Sequence, residues 1–123
     1  MFAGLAALSG RRVLLVEDEM LVSMLVEDIL AEFGCTVVGP AAKVDRAKEL
    51  VASEQIDLAL LDVNIGGTRV FPVADMLAER NIPFVFMSGY GEAGLQPPHE
   101  NRPVIAKPFS AESIGEILVS ALG

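Results

Sequence analysis

The sequence predicts an α/β fold in which five strands alternate with helices. Short apolar runs rich in β-branched or aromatic residues recur along the chain, as in strands buried on both faces of a parallel sheet. Between these runs, apolar residues recur at a spacing near 3.6, which is typical of amphipathic helices. The chain has 123 residues, 52% of them hydrophobic, which suits one domain with one sizeable core.

The predicted elements follow one another without a repeat or a linker. The strands are predicted at residues 12–16, 36–39, 57–61, 83–87 and 103–106. Helical patterns follow the first three strands, and the first of them includes Leu21, Leu25 and Ile29. A last helix follows Ser110, whose hydroxyl suits an N-cap. We expect residues 1–10 to be an N-terminal tail and residues 11–123 to form the domain.

The segment 89–102 between the fourth and fifth strands is rich in glycine and proline. These residues disfavour a helix, so we expect the fourth helix to be short or mobile. Alternating strands and helices imply right-handed crossovers and a parallel sheet covered on both faces.

Composition narrows the class of partner. Nine Lys and Arg residues against seventeen Asp and Glu residues give a net charge of -8, which disfavours binding to nucleic acid. The single Cys35 excludes an internal disulfide, and no apolar run approaches the roughly 18 residues of a membrane span. We therefore expect a cytoplasmic location and no contact with a membrane.

Polar residues follow four of the predicted strands. Glu17 and Asp18 follow the first strand, Asp62 the third, Ser88 the fourth and Lys107 the fifth. The carboxyl ends of parallel strands lie at one edge of a sheet, where open α/β folds bind ligands. We therefore expect three carboxylates, one hydroxyl and one ammonium to meet there.

Three close carboxylates repel one another, and a divalent cation would remove the conflict. Oxygen ligands with no His or Cys nearby favour Mg²⁺ over Ca²⁺ or Zn²⁺. With Mg²⁺ and Lys107 the formal charges of Glu17, Asp18 and Asp62 cancel, and a neutral site of this kind can accept a phosphoryl group. The chemistry indicated is phosphoryl transfer, with Asp62 as the nucleophile and with Lys107 and Ser88 contacting the phosphate.

These residues together resemble the receiver domain of two-component response regulators. The matching features are Glu17-Asp18, Asp62, Ser88-Gly89 and Lys107-Pro108, and the resemblance extends from Arg11 to Leu122. It implies a flavodoxin-like (βα)5 three-layer sandwich with strand order 2-1-3-4-5.

The resemblance also implies roles for individual residues. Asp62 would accept a phosphoryl group from a histidine kinase or a phosphotransfer protein. Mg²⁺ would be held by Asp18, Asp62 and the backbone carbonyl of Asn64, and by Glu17 through water. The bond between Lys107 and Pro108 is usually cis in this family.

Three departures distinguish this chain from many receivers. Val104 occupies a position where many carry Tyr or Phe. The stretch FMSGYG at residues 86–91 partly resembles the signature of the so-called FAT GUY receivers. Gly66 replaces a proline that many receivers have after the phosphoacceptor, so we expect a more flexible loop there.

The predicted function is that of a signalling phosphoacceptor read by a downstream protein, with at most self-phosphorylation and self-dephosphorylation as enzymatic activity. The alternative is a degenerate receiver that binds a protein partner without phosphate. An aspartyl phosphatase is disfavoured because Asn64 stands where such enzymes usually have a second acid. We expect His99 to be a solvated surface residue and Cys35 a small core residue.

Overall fold

The computed structural model describes residues 5–88, 95, 99, 102–106 and 110–122. The strands are β1 (Arg12–Val16), β2 (Thr36–Ala41), β3 (Leu58–Asp62), β4 (Asn64–Ile65), β5 (Thr68–Arg69), β6 (Phe84–Ser88) and β7 (Val104–Ala106). The helices are α1 (Met20–Glu32), α2 (Val44–Ser53), α3 (Phe71–Glu79) and α4 (Ala111–Leu122), and a 3-10 helix spans Leu5–Leu8.

Five parallel strands form the main sheet in the order β2-β1-β3-β6-β7. Counted over these five strands alone, this is the predicted order 2-1-3-4-5, which is confirmed. The strands β4 and β5 form a separate antiparallel pair directly after β3. No strand was predicted in that segment.

The core lies on both faces of the sheet, as the apolar strands predicted. Alternate residues of β1 belong to different apolar clusters: Leu14 and Val16 face one side, while Val13 and Leu15 face the other. Helices α2 and α3 contribute Ala47, Val51, Val73 and Leu77 to the first cluster. Helices α1 and α4 contribute Val26, Leu30, Ile114 and Leu118 to the second cluster. The three-layer arrangement is therefore confirmed.

The buried face of α1 differs from the face that the sequence indicated. The buried residues are Ser23, Val26, Ile29 and Leu30. Leu21 and Leu25, on which the predicted periodicity rested, are 81% and 48% exposed. The helix is apolar over much of its circumference, so spacing alone could not select the face that meets the sheet.

Local sequence signals explain how two helices end or begin. Gly34 has a φ of 80° after α1, and the N–H of Cys35 donates to the carbonyl of Leu30 at 3.0 Å, as in a Schellman motif. At the start of α4, the N–H of Ser113 donates to Oγ of Ser110 at 3.1 Å. The predicted N-cap at Ser110 is therefore confirmed.

Several predictions concern residues outside the described ranges. Most of the predicted fourth helix and the bond between Lys107 and Pro108 lie there. Among the described residues, the peptide bond between Gly39 and Pro40 is cis. Among the residues that the structure describes, none of the helices combines the length and hydropathy of a membrane span.

Candidate functional site

Three carboxylates meet at the carboxyl edge of the sheet. Glu17 and Asp18 directly follow β1, and Asp62 is the last residue of β3. The two strands are neighbours, with Val16 paired to Leu61, so their ends lie side by side. One oxygen from each of the three carboxylates lies within 4.8 Å of the others. Glu17 and Asp62 are buried, at 2% and 8% exposure, whereas Asp18 is exposed.

Backbone amides orient all three carboxylates. The N–H of Glu19 donates to Oε2 of Glu17 at 3.1 Å, and the N–H of Gly66 donates to Oδ2 of Asp18 at 2.8 Å. The N–H of Asn64 approaches Oδ1 of Asp62 at 3.4 Å, which makes it the longest of the three contacts. Such bonds fix the direction of the carboxylate oxygens.

The segment after Asp62 forms a hairpin where we expected a more flexible loop. Asn64 pairs with Arg69 and Ile65 with Thr68, and the turn consists of Gly66 and Gly67. Their φ values of 57° and 84° are those of a two-residue turn that favours glycine at both central positions. The Gly66-Gly67 pair is a sequence signal for a hairpin, whereas Gly66 considered alone predicts only a flexible loop.

The remaining predicted site residues are Ser88, Asn64 and Lys107. Ser88 is buried and is the last residue of that strand. Asp62 pairs with Met87, so Ser88 stands one residue past the position opposite Asp62. Asn64 is exposed and follows Asp62 by two residues. Lys107 lies outside the described residues, as do Gly89 to Gly91 of the FMSGYG stretch.

The donor set at this edge suits a hard divalent cation. The cluster offers carboxylate oxygens alone, because the described histidine and cysteine lie elsewhere in the fold. Oxygen donors carrying several negative charges favour Mg²⁺ or Ca²⁺ over the softer transition metals. Glu17, Asp18 and Asp62 therefore fit the predicted ion.

An exposed apolar surface borders the carboxylates. At the start of α1, Met20, Leu21, Met24 and Leu25 are 76%, 81%, 53% and 48% exposed. We call these four residues the α1 stripe. A groove of about 230 Å³ runs from Glu17 and Asp18 to Met20 and Met24. Large apolar side chains grouped in this way are typical of a surface that another protein covers.

Comparison with known proteins identifies the family. Residues 13–118 match the family described as Response regulator receiver domain. This chain is a receiver domain. The match spans both strands that carry the carboxylates and most of the described fold. Receiver domains bind Mg²⁺ at an acidic pocket and act in signalling together with kinases and downstream proteins.

Two solved structures resemble this receiver domain closely. The receiver domain of PhyR from Erythrobacter litoralis is 30% identical with a TM-score of 0.82, over 94% of this chain and 92% of that one. SdrG from Sphingomonas melonis Fr1 is 37% identical with a TM-score of 0.78, over 94% of this chain and 97% of that one.

A curated relative is longer than this receiver domain. The transcriptional regulatory protein PdtaR of Mycobacterium tuberculosis is 31% identical over 108 residues, which are 85% of this chain and 53% of PdtaR. The chain thus spans about half the length of the curated relatives it matches.

The sequence interpretation of His99, which lies outside the carboxylate cluster, was also wrong. His99, expected in solvent, is only 2% exposed and lies among aromatic side chains. The sequence around it is polar, so no local pattern indicated burial.

Proposed function

We propose that this receiver domain is the phosphoacceptor of a two-component phosphorelay, with Asp62 as the residue that takes the phosphoryl group. The observation that carries the proposal is the meeting of Glu17, Asp18 and Asp62 within 4.8 Å at the carboxyl edge of a receiver fold. Asp62 suits the nucleophile because it ends the central strand β3, while Glu17 and Asp18 are adjacent and suit a shared cation.

We propose that Mg²⁺ is held by Asp18, Asp62 and the backbone carbonyl of Asn64, and by Glu17 through water. The ion would supply charge neutralisation for a phosphate that approaches three carboxylates. The amide of Gly66 would keep Asp18 directed at the site, since it occupies Oδ2 and leaves Oδ1 for a ligand.

The proposed reaction is the attack of an Asp62 carboxylate oxygen on a phosphorus atom bound to a histidine nitrogen of the donor protein. A P–O bond forms, the P–N bond breaks, and the released imidazole takes a proton from solvent. Ser88 would donate a hydrogen bond to one phosphoryl oxygen, and Lys107 would pair with another. Catalysis of this kind is mainly positioning and charge stabilisation, which three amide-oriented carboxylates support.

The α1 stripe supports a protein as the phosphoryl donor. Four exposed apolar side chains stand beside the carboxylates, and a donor helix packed on them would bring its histidine to the same edge of the sheet. A small metabolite would leave this surface uncovered. The donor would accordingly be a histidine kinase or a phosphotransfer protein, and a downstream protein would read the phosphorylated state.

The test is the intact mass of the protein after incubation with a small acyl-phosphate donor, with Mg²⁺ or with a chelator. We expect a phosphoryl adduct that requires Mg²⁺ and is absent from Asp62→Asn. Asp57→Asn is the matched control. Asp57 directly precedes β3, at the opposite end of the strand from Asp62, and it accepts a hydrogen bond from the N–H of Arg12.

A second arm uses autophosphorylated histidine kinases as donors. Met24→Ser should slow transfer from a kinase and leave the reaction with the small donor unchanged. An adduct that persists in Asp62→Asn would show that another residue is the acceptor. No adduct from either donor would favour the alternative function, a receiver that binds its partner without phosphate.

A further inference from the structure

Two methionines of the α1 stripe are exposed beside the carboxylate cluster. Met20 and Met24 are 76% and 53% exposed, and both line the groove that also contains Glu17 and Asp18. They are four residues apart on α1, so their side chains lie on one face of the helix. The proposed phosphoryl chemistry uses neither sulfur atom.

The structure describes four of the five methionines, and the other two are protected from solvent. Met87 of β6 is 0% exposed and belongs to the second apolar cluster, and Met76 of α3 is partly buried against the first. Met20 and Met24 belong to neither cluster, so an oxygen atom added to them leaves the core packing unchanged. Exposure therefore selects Met20 and Met24 for reaction with an oxidant in solution.

Cys35 is the rival target for an oxidant. Its side chain is half-buried, and its thiol donates to the carbonyl of Leu8 at 3.4 Å. Burial raises the pKa of this thiol, so the reactive thiolate is scarce at neutral pH. Cys35 also follows the end of α1, whereas Met20 begins that helix. Oxidation of Cys35 would therefore leave the groove beside the carboxylates unchanged.

We propose that Met20 and Met24 form an oxidation site that regulates the access of a protein donor to Asp62. The oxidant is a peroxide, and hydrogen peroxide is the simplest case. The thioether sulfur attacks one peroxide oxygen, an S–O bond forms and the O–O bond breaks. The departing hydroxide takes the proton of the transferred hydroxyl and leaves as water, so the sulfur is oxidised to a sulfoxide and the peroxide is reduced.

A sulfoxide changes the chemistry of the groove. It replaces an apolar thioether with a polar group whose oxygen can only accept hydrogen bonds. The groove already holds the carboxylates of Glu17, Asp18 and Glu27, which are acceptors too. Among the described side chains that line it, only the hydroxyl of Ser23 can donate, and it is bonded to Glu27 at 3.2 Å. A partner surface that fits the thioethers would bury the new oxygen without a donor, which costs free energy.

The effect should depend on the donor of the phosphoryl group. This inference rests on the proposed function, in which a donor protein packs on the α1 stripe. A small acyl phosphate reaches Asp62 without covering that surface. Oxidation should therefore slow transfer from a protein and leave the reaction with a small donor unchanged.

The first arm of the test measures the modification itself. The protein is treated with hydrogen peroxide, and peptide mass spectrometry locates each gain of one oxygen over time. We expect Met20 and Met24 to oxidise at least about tenfold faster than Met87, because a fully buried sulfur reacts only after local opening. The melting temperature should stay unchanged. Oxidation of Met76 or Met87 as fast as that of Met20, or a lower melting temperature, would overturn the proposal.

The second arm measures phosphoryl transfer after the peroxide has been removed. The donors are autophosphorylated histidine kinases that phosphorylate the untreated protein, and the small acyl phosphate. We expect kcat/KM with a kinase to fall about tenfold, as when an interface loses one well-packed apolar anchor, and the adduct from the small donor to be unchanged. Methionine sulfoxide reductases of both types should restore the transfer.

Two variants separate the methionines from other oxidised residues. The double variant Met20→Leu/Met24→Leu keeps an apolar surface and cannot form a sulfoxide, so peroxide should not change its rate of transfer from the rate before treatment. Cys35→Ala keeps both methionines, so peroxide should slow its transfer as it does in the wild type. A double variant that still responds to peroxide would overturn the assignment to Met20 and Met24.

The two proposals can fail separately. Equal transfer from a kinase before and after oxidation would overturn the oxidative regulation while the proposed function stands. An oxidised protein that also loses the adduct from the small donor would show damage at the carboxylates, which overturns regulation through docking. If no histidine kinase phosphorylates the untreated protein, the proposed donor and the regulation fail together.

Discussion

Removing one charge from the carboxylate cluster should stabilise the metal-free protein. Asp18→Asn is the suitable change, because Asp18 is the exposed member and an asparagine oxygen can still accept the hydrogen bond from Gly66. At a separation of 4.8 Å, two unit charges repel by about 0.9 kcal/mol in bulk water and about 3.5 kcal/mol at an effective dielectric of about 20.

Because Asp18 is exposed, its repulsion energy with each neighbouring carboxylate should be close to the value for bulk water. The substitution removes this repulsion with both Glu17 and Asp62. We therefore expect a gain of about 1 to 2 kcal/mol in the free energy of unfolding. For a domain of this size that corresponds to roughly 3–8 °C in melting temperature. With Mg²⁺ the wild type should become the more stable of the two proteins. An ion at 100 times its Kd raises the free energy of unfolding of the wild type by about 2.7 kcal/mol.

The assay is thermal or urea unfolding of both proteins in a chelator and over a series of Mg²⁺ concentrations. Asp28→Asn on α1 controls for the net charge of -8, which any lost carboxylate makes less negative. Equal stabilities of Asp18→Asn and Asp28→Asn in the chelator would refute the repulsion argument. An undiminished Mg²⁺ response in Asp18→Asn would remove Asp18 from the ion site.

Two further predictions concern the hairpin and the cysteine. Gly67→Ala should lower the free energy of unfolding by about 1 kcal/mol, because φ is 84° and nothing lies within 4 Å of an added Cβ, so backbone strain acts alone. Urea unfolding measures this loss of stability. Gly67→Asn should lower the free energy of unfolding by less than Gly67→Ala, because asparagine tolerates this conformation, and equal losses would contradict backbone strain as the cause. Burial raises the pKa of the Cys35 thiol, so alkylation should be slower at neutral pH in the folded protein than in urea. The raised pKa also stabilises the folded protein at neutral pH, and this stabilisation is lost as the pH rises through the pKa of the thiol in the folded protein. A free energy of unfolding that stays constant from about pH 8 to about pH 10.5 would contradict this prediction.

Much of the fold follows from local patterns. Apolar runs such as residues 12–16 and 57–61 are recognisable without a structure, because a strand buried on both faces needs consecutive apolar residues. Parallel strands end at one edge, so the meeting of Glu17, Asp18 and Asp62 could also be predicted. Ser110 was predictable as a cap because the hydroxyl satisfies an amide of the same helix.

Three features depended on the tertiary structure. The α1 stripe is exposed because the sheet meets the side of α1 that carries Val26 and Leu30, a choice that an apolar helix leaves open. The hairpin after Asp62 holds Asp18, and this contact joins residues 48 positions apart. His99 is buried because Phe71, Phe84 and Phe86 come from two other elements to enclose it. By itself the sequence determined the order of elements and the acidic edge, since both follow from short-range periodicity. Only the tertiary structure decided the surroundings of single side chains, because those are made by residues distant along the chain.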